Sequence, residues 1–373
     1  MPSTPDLLGV PPELFERIAQ FAHDSDLLAL RLTSKDAASK VLRTFTETQF
    51  SHRHILFTEE QNLSTAIEVA KHPVFGPALN ILWLYVDEVK LETDPDFPKF
   101  YNKQRALMES GRDLHLLTVL FAHLRRHGVH PDIRIFPDAF EVSSKLPVSS
   151  DYKTPHFGIG VWSLLEPPEP DDHRPFLKII EALSLSLLKP SALIVSEETC
   201  NVMINHLTDQ HLTHMAEALR RVKTLQLSTV SFPNVLSSEQ VEKFCSLLSN
   251  ELDLTDLLLR VEKMGIPIMF DEVFAPRSDD EFLVEELFKK QFTSLKTLQL
   301  DGARFEGCAL VDFIHRHPAI HTLELDRIFP FSGVDPDDKL SKKDFDALLQ
   351  QLTTVVEISV SNTYPWGLSS PTY

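Results

Sequence analysis

The chain has 373 residues, of which 43% are hydrophobic and 9% aromatic, and it carries a formal net charge of −18. This composition is ordinary for a globular protein of one large domain or two, and it excludes a chain that is disordered throughout. The acidic balance argues against general binding to nucleic acid or to an anionic membrane surface, because both need a cationic protein surface.

The expected location is the cytoplasm or the nucleus. Three cysteines, Cys200, Cys245 and Cys308, lie far apart without a CxxC pair, which is not the pattern of a disulfide framework. The first residues contain neither the basic nor the apolar segment of a secretory signal. No apolar run approaches the roughly 20 residues that cross a bilayer.

Three short amphipathic helices are predicted over residues 8–43. Pro11 and Pro12 suit a first helical turn, and an apolar face follows at Leu14, Ile18, Phe21 and Ala22. Residues 24–26 offer N-caps for a second helix, and Ser34 can cap a third. Three short helices cannot hide all their apolar side chains among themselves. Two interpretations stay open: a cap on the following domain, or a docking module that a partner protein covers.

Two strings in this segment, VPPELFERI and DLLALRLTSK, resemble the F-box, the helical module that binds Skp1 in SCF-type ubiquitin ligases. The positions that match are Pro11, Pro12, Glu13, Leu14, Ile18, Leu28, Leu30, Arg31, Leu32, Ser34 and Lys35. Val10 stands where leucine is commoner, and residues 36–39, directly after Lys35, include no tryptophan. The resemblance implies a docking module over residues 1–45, in which Skp1 is bound by Pro11, Pro12, Leu14, Ile18, Leu28, Leu32 and Lys35.

A short pattern, apolar-x-x-apolar-x-apolar, recurs through the rest of the chain. Its clearest copies are residues 222–227, 295–300 and 320–325, and weaker copies are 79–84, 254–259 and 355–360. The last two apolar positions are two residues apart, which is the spacing of one face of a β-strand. Amphipathic helices are predicted between these strands, at residues 113–127, 208–221, 241–248, 282–288 and 308–315.

A strand and a helix repeated every ~25–40 residues predict an irregular leucine-rich-repeat solenoid over residues 46–373. An F-box before divergent leucine-rich repeats resembles a class of fungal F-box proteins. The expected fold class is therefore mixed α/β, with a three-helix F-box followed by the solenoid. The alternative is an α/β sheet protein whose strands share the L-x-L pattern.

Three insertions interrupt the pattern, at about residues 90–111, 136–175 and 329–343. Long loops inside a domain are usually functional or mobile. We hypothesise that acidic residues in two of them contribute to binding a client protein: Asp94, Asp96, Asp335, Asp337 and Asp338. Mobile surface loops without this role are the alternative.

Catalytic and metal-binding patterns are weak in this sequence. Two histidine groups have partly suitable spacing, His123 with His127 and His130, and His206 with His211 and His214. Neither resembles H-E-x-x-H. With 11 glycines the chain has no phosphate-binding loop, and it contains no G-x-S-x-G. We predict no catalytic residue, no metal site and no cofactor, so the chain is not expected to be an enzyme.

The resemblance implies the function of a substrate-recognition adaptor in an SCF-type ubiquitin ligase. The N-terminal helices would bind a Skp1-like adaptor, and through it a cullin, while the repeats would bind an unknown client protein. Two alternatives remain, a leucine-rich-repeat interaction scaffold that does not bind Skp1, and a metal-dependent enzyme on an α/β scaffold. No nucleic acid or membrane partner is expected.

Overall fold

The computed structural model describes residues 9–86, 97–136, 174–195, 202, 204, 207–231, 238–263, 279–332 and 340–361. The α-helices are α1 Pro12–Ala19, α2 Asp24–Thr33, α3 Lys35–Phe50, α4 Glu60–Lys71, α5 Phe97–Glu109, α6 Arg112–Arg126, α7 Arg174–Ser186, α8 Asp209–Leu219, α9 Ser238–Ser246, α10 Asp279–Lys289, α11 Gly307–Arg316 and α12 Lys342–Leu352. The strands are β1 His52–Leu56, β2 Ile81–Tyr85, β3 Asp132–Phe136, β4 Ala192–Val195, β5 Thr224–Ser231, β6 Asp256–Lys263, β7 Thr297–Asp301, β8 Arg304–Glu306, β9 Thr322–Asp326, β10 Phe329–Phe331 and β11 Glu357–Ser361.

Nine of the strands form one parallel sheet, in the order β1-β2-β3-β4-β5-β6-β7-β9-β11. The strands therefore follow each other in chain order, and β8 pairs with β10 in a separate small parallel sheet. Parallel neighbours need a crossover connection, usually an α-helix. Helices α4 and α6 to α12 lie between successive strands of the chain and supply such connections in the described residues.

One face of the large sheet is covered by apolar side chains in register. One row crosses eight strands through Leu82, Ile133, Leu193, Leu225, Leu257, Leu298, Leu323 and Ile358. These side chains belong to the same hydrophobic core as buried residues of helices α4 to α12. The helices therefore form one layer on this side of the sheet.

The other side of the sheet, here called the open face, carries mostly polar or half-exposed side chains. Its middle row is His54, Trp83, Arg134, Ile194, Gln226, Leu258, Gln299, Glu324 and Ser359. All but Ser359, which is exposed, have intermediate exposure. A fully parallel sheet is usually covered on both faces. The accessible second face of this sheet is therefore available to bind another molecule.

The predicted fold, an F-box followed by an irregular leucine-rich-repeat solenoid, is corrected to a parallel α/β sheet preceded by three helices. Neighbouring strands begin 25 residues apart between Thr297 and Thr322 but 60 apart between Asp132 and Ala192. Leucine-rich repeats are 20–29 residues long. The recurring L-x-L motif reflects the two-residue period of strands with one buried face, and it does not define a repeat unit.

Two predicted insertions contain regular structure in their described parts. Helix α5, Phe97–Glu109, lies in the segment expected to be a polar insertion, and its residues Gln104 and Leu107 are buried. Strand β10 lies at the start of the third insertion and pairs with β8. Proline and charge content therefore misled the loop prediction, because local composition does not record tertiary packing.

No helix in the described ranges is long and apolar enough to cross a membrane.

Candidate protein-docking site

The three N-terminal helices, residues 12–50, form what is called here the helical unit. Helices α1 and α2 both pack on α3. Five side chains form its small core, Phe15, Ala19, Leu27, Val41 and Phe45. Since this core uses only one side of α1 and α2, apolar residues on their other sides remain outside it.

The local sequence accounts for where these helices begin. Pro12 occupies the start of α1, as predicted. The Ser34 hydroxyl accepts a hydrogen bond from the Ala37 N–H at 3.1 Å, so the predicted N-cap of α3 is confirmed. The prediction of an N-cap within residues 24–26 is wrong, because α2 already begins at Asp24 and His23 is its N-cap residue.

Large apolar side chains are exposed on α1, on α2 and just after α1. Their exposed fractions are 55% for Leu14, 53% for Ile18, 85% for Phe21, 47% for Leu28 and 88% for Leu32. We call these five residues the docking face. Leu14 and Ile18 are four residues apart on α1, as are Leu28 and Leu32 on α2. This spacing places each pair on one side of its helix.

The seven residues that the resemblance assigns to Skp1 binding are all exposed: Pro11, Pro12, Leu14, Ile18, Leu28, Leu32 and Lys35. None of them belongs to the core of the helical unit. Their binding role stays a prediction. Phe21 was not among the predicted contacts, although its spacing from Leu14 and Ile18 is helical, because it lies beyond the motif that carries the resemblance.

Charged side chains link α1 and α2 to α3. Arg43 of α3 lies 3.3 Å from Glu16 of α1 and 2.9 Å from Glu47. The hydrogen bond with Glu47, followed by the charge of Glu16, raises the pKa of Arg43. The Arg31 guanidinium lies 3.9 Å from the centroid of the Phe45 ring, a cation–π contact that joins α2 to α3.

Aromatic stacking attaches the helical unit to the segment between α4 and β2. Phe50, at the end of α3, stacks on Phe75 with 4.1 Å between ring centroids and 4° between planes. His72 stacks on Phe75, also at 4.1 Å. An open groove of about 590 Å³ lies beside this contact and is lined by α3 and residues 74–80. The docking face is therefore presented on a unit that is packed against the rest of the protein.

The acidic residues proposed for client binding, Asp94, Asp96, Asp335, Asp337 and Asp338, lie outside the described residues. His206 and Cys200 also lie outside the described residues. The hypothesis that these aspartates contribute to client binding therefore stays a prediction.

Three of the described histidines of the two candidate metal groups have structural partners. His127 Nε2 lies 3.0 Å from the Ala70 carbonyl, and His130 Nδ1 lies 2.8 Å from the Lys189 carbonyl. His211 completes a capping box with Thr208 at the start of α8. Burial, followed by the charge of Arg126, lowers the pKa of His123. In the described part of the chain, no three His, Cys, Asp or Glu side chains are grouped to hold a metal ion.

The two described cysteines differ from each other in exposure. Cys245 is buried, and burial raises its pKa to about 12. Cys308 is exposed, and residual burial together with the hydrogen bond with Glu306 raises its pKa to about 11. Both thiols are therefore protonated at neutral pH, which is not the state of a nucleophilic cysteine.

Comparisons with known proteins give little guidance. A scan against protein-family models finds no match, and a search of curated proteins finds none either. A search of solved structures finds D-psicose 3-epimerase with D-tagatose from Clostridium cellulolyticum H10. The two chains are 11% identical, with a TM-score of 0.19, over 82% of this chain and 99% of the epimerase.

Two functional predictions are corrected by these comparisons. The role of SCF substrate-recognition adaptor, and the alternative of a leucine-rich-repeat scaffold that does not bind Skp1, are withdrawn, because no F-box or leucine-rich-repeat model matches the chain and the observed fold is not the predicted one. The prediction that the chain is not an enzyme is also withdrawn, since no comparison supports it. A TM-score of 0.19 assigns neither a fold nor an activity in their place.

Proposed function

We propose that the helical unit is a docking module, which binds another protein through the docking face. The observation that supports this proposal is the exposure of five large apolar side chains between residues 14 and 32. Single exposed leucines are normal on protein surfaces, whereas a group of them indicates an interaction site. Burial of such side chains is worth about 1.5–3 kcal/mol each when it is complete.

The arrangement of these residues favours a helical partner or a groove that accepts helices. Pairs at i and i+4, such as Leu14 with Ile18 and Leu28 with Leu32, are the anchors that amphipathic helices offer in helix-in-groove recognition. Lys35 is exposed next to α2 and has no ion pair with another residue in the described ranges. A partner with an apolar groove and a carboxylate at its rim would therefore match both features.

The resemblance names a partner with which to test this proposal. A Skp1-like adaptor is the partner predicted from the matching residues Pro11 to Lys35, and it stays a prediction. The proposal concerns the docking surface and attaches no ubiquitin-ligase role to it.

Calorimetric titration of the intact chain with purified Skp1 tests the docking proposal. We expect saturable binding, and we expect the double variant Leu28→Ser with Leu32→Ser to weaken it at least tenfold. Tenfold corresponds to about 1.4 kcal/mol, which is less than the apolar burial lost. The control variant combines Leu185→Ser with Val355→Ser, which are exposed by 57% and 44% outside the helical unit.

The control variant should bind like the intact chain. Absence of binding by a folded intact chain would contradict the Skp1 prediction, and equal loss of binding in the control variant would contradict the docking face. Thermal unfolding of each variant checks that exposed serines have not disturbed the fold.

A further inference from the structure

The open face changes chemical character along its middle row. Over β1 to β3 the row is aromatic and basic, with His54, Trp83 and Arg134. Over β4 to β7 it is neutral, and at β9 it reaches Glu324. A ligand that lies along this row would meet a cation at one end and a carboxylate at the other.

Arg134 is a half-buried cation that has no counter-charge among the residues that the structure describes. Its guanidinium carbon lies 5.1 Å from the Trp83 ring centroid, and Trp83 stacks on Phe136 at 4.9 Å. Its Nε is buried without a hydrogen-bond partner, and Arg134 forms no ion pair with any residue in the described ranges. A partly desolvated guanidinium gains charge-assisted hydrogen bonds when a carboxylate binds it.

Glu324 is the corresponding anion on β9. It has intermediate exposure, and its register neighbours on β7 and β11 are uncharged. Within the described ranges it makes no ion pair or hydrogen bond through its side chain. Asp301, in the adjacent row of the same face, is already paired with Arg260 and Arg327. Glu324 is therefore a carboxylate that this part of the face offers to a cation of a ligand.

The distance between these two charges sets the length of a ligand. Arg134 and Glu324 are five strand positions apart in the sheet. Neighbouring strands are about 4.8 Å apart, so the separation is about 24 Å. Eight residues of an extended chain cover about 26 Å, and an even number places both charged side chains on the same side of that chain. The row between them consists of Ile194, Gln226, Leu258 and Gln299. Two apolar and two amide side chains suit a neutral polypeptide in between.

We propose that the open face binds an extended polypeptide segment of a partner protein, with an acidic residue on Arg134 and a basic residue eight positions away on Glu324. A small molecule usually binds in an enclosed cleft, whereas this surface extends over many strands. The chain carries a net charge of −18, which would repel a wholly acidic segment. A segment with both charges avoids that repulsion and satisfies both unpaired groups.

Fluorescence anisotropy with two labelled undecapeptides tests this proposal on the intact chain. The first peptide has Glu at position 2 and Lys at position 10, with leucine and asparagine between them. The second has the same composition with Glu and Lys adjacent at positions 5 and 6. We expect the first to bind at least fivefold more tightly, and we expect Arg134→Gln or Glu324→Gln to remove that preference.

A charge exchange provides the matched control for folding. The double variant Arg134→Glu with Glu324→Arg should restore the preference, because the peptide can bind in the reverse direction. Arg112→Gln, on the exposed surface of α6, should leave it unchanged. Equal binding of the two peptides, no binding of either, or an unchanged preference in Arg134→Gln would overturn the proposal. The docking face takes no part in this test, so its outcome is independent of the Skp1 titration.

Discussion

His317 shows how a single buried side chain connects two elements. It follows α11, and its Nδ1 donates a hydrogen bond to the Phe313 carbonyl at 2.6 Å. Its Nε2 accepts a hydrogen bond from the Phe292 N–H at 2.9 Å. Both bonds exist together only in the neutral ring. Burial is the main reason that the pKa of His317 lies below its usual value, and the charge of Arg316 lowers it further against the opposing hydrogen bond with Phe313.

Replacing this histidine should change both stability and its pH dependence. In His317→Leu, buried polar groups of Phe292 and Phe313 lose their partner, at a cost of about 1–3 kcal/mol for each unsatisfied group. Because the folded-state pKa is lowered, the unfolded chain takes up the proton first as pH falls below about 6.5. The free energy of unfolding of the intact chain should therefore fall in this range.

Urea unfolding between pH 5 and pH 8 measures both effects. His317→Leu should show a smaller pH dependence, with the remainder due in part to His123, whose pKa is also lowered. The control His115→Gln changes an exposed residue of α6 and should alter neither quantity. An unchanged pH dependence in His317→Leu would show that this ring does not titrate as argued.

Gly302 occupies a position that a side chain cannot enter. Its φ is +70°, and a Cβ there would lie 2.2 Å from the Val261 carbonyl oxygen. Gly128 has the same φ, but a Cβ at that position would meet no atom of the described residues within 4 Å. We expect Gly128→Ala to cost about 1–2 kcal/mol through left-handed strain. Gly302→Ala should cost about 2–5 kcal/mol, because overpacking is added. Equal losses in denaturant unfolding would contradict the close approach of Val261.

The roles of individual residues could be predicted from the sequence only where the spacing of residues along the chain determines them. The i, i+4 pairs of α1 and α2 identified apolar side chains that are exposed, yet the pattern did not separate them from core residues such as Phe15 and Leu27. Arg134 and Glu324 were not found, since alternation within a strand identifies a face and not the register with distant strands. Their juxtaposition depends on the order of the strands in the sheet.

At the scale of elements, one aromatic contact joins the helical unit to the segment between α4 and β2. Phe75 stacks on both Phe50 and His72, and Arg31 lies 5.9 Å from its ring centroid. We expect Phe75→Ala to loosen the helical unit and leave the sheet intact. Amide hydrogen exchange should become faster across α1 to α3 and stay unchanged in β5 to β9.

The neighbouring residue supplies the control for this prediction. Val74→Ala removes a partly exposed side chain and should leave exchange in α1 to α3 unchanged. Faster exchange throughout the sheet in Phe75→Ala would mean that the helical unit and the sheet unfold as one body, which contradicts a separable unit.

Helices and strands were predicted well where apolar residues recur with a clear helical or strand period. All six copies of the apolar-x-x-apolar-x-apolar motif coincide with strands, and α6, α8 and α11 lie within one or two residues of their predicted ranges. Helix α5 was missed because Pro95, Pro98 and several charges indicated a loop. Its buried residues Gln104 and Leu107 were not arranged in a strong enough pattern to outweigh that composition.

For the whole molecule, the sequence led to a wrong architecture. Similar strand motifs were interpreted as units of a solenoid, whereas the structure has one continuous parallel sheet with connections of very unequal length. Strand order and the side on which helices pack arise from contacts between residues far apart in the chain. A resemblance confined to about 40 residues at one end contains no information on those contacts.

The central claim is that the chain binds a protein partner through α1 and α2. Hydrogen exchange with and without Skp1 tests it most directly, because it locates the surface that becomes covered. We predict slower exchange over residues 12–33 in the complex and no change over α7, which carries the exposed Leu185. Slower exchange confined to the sheet, with residues 12–33 unaffected, would contradict the account.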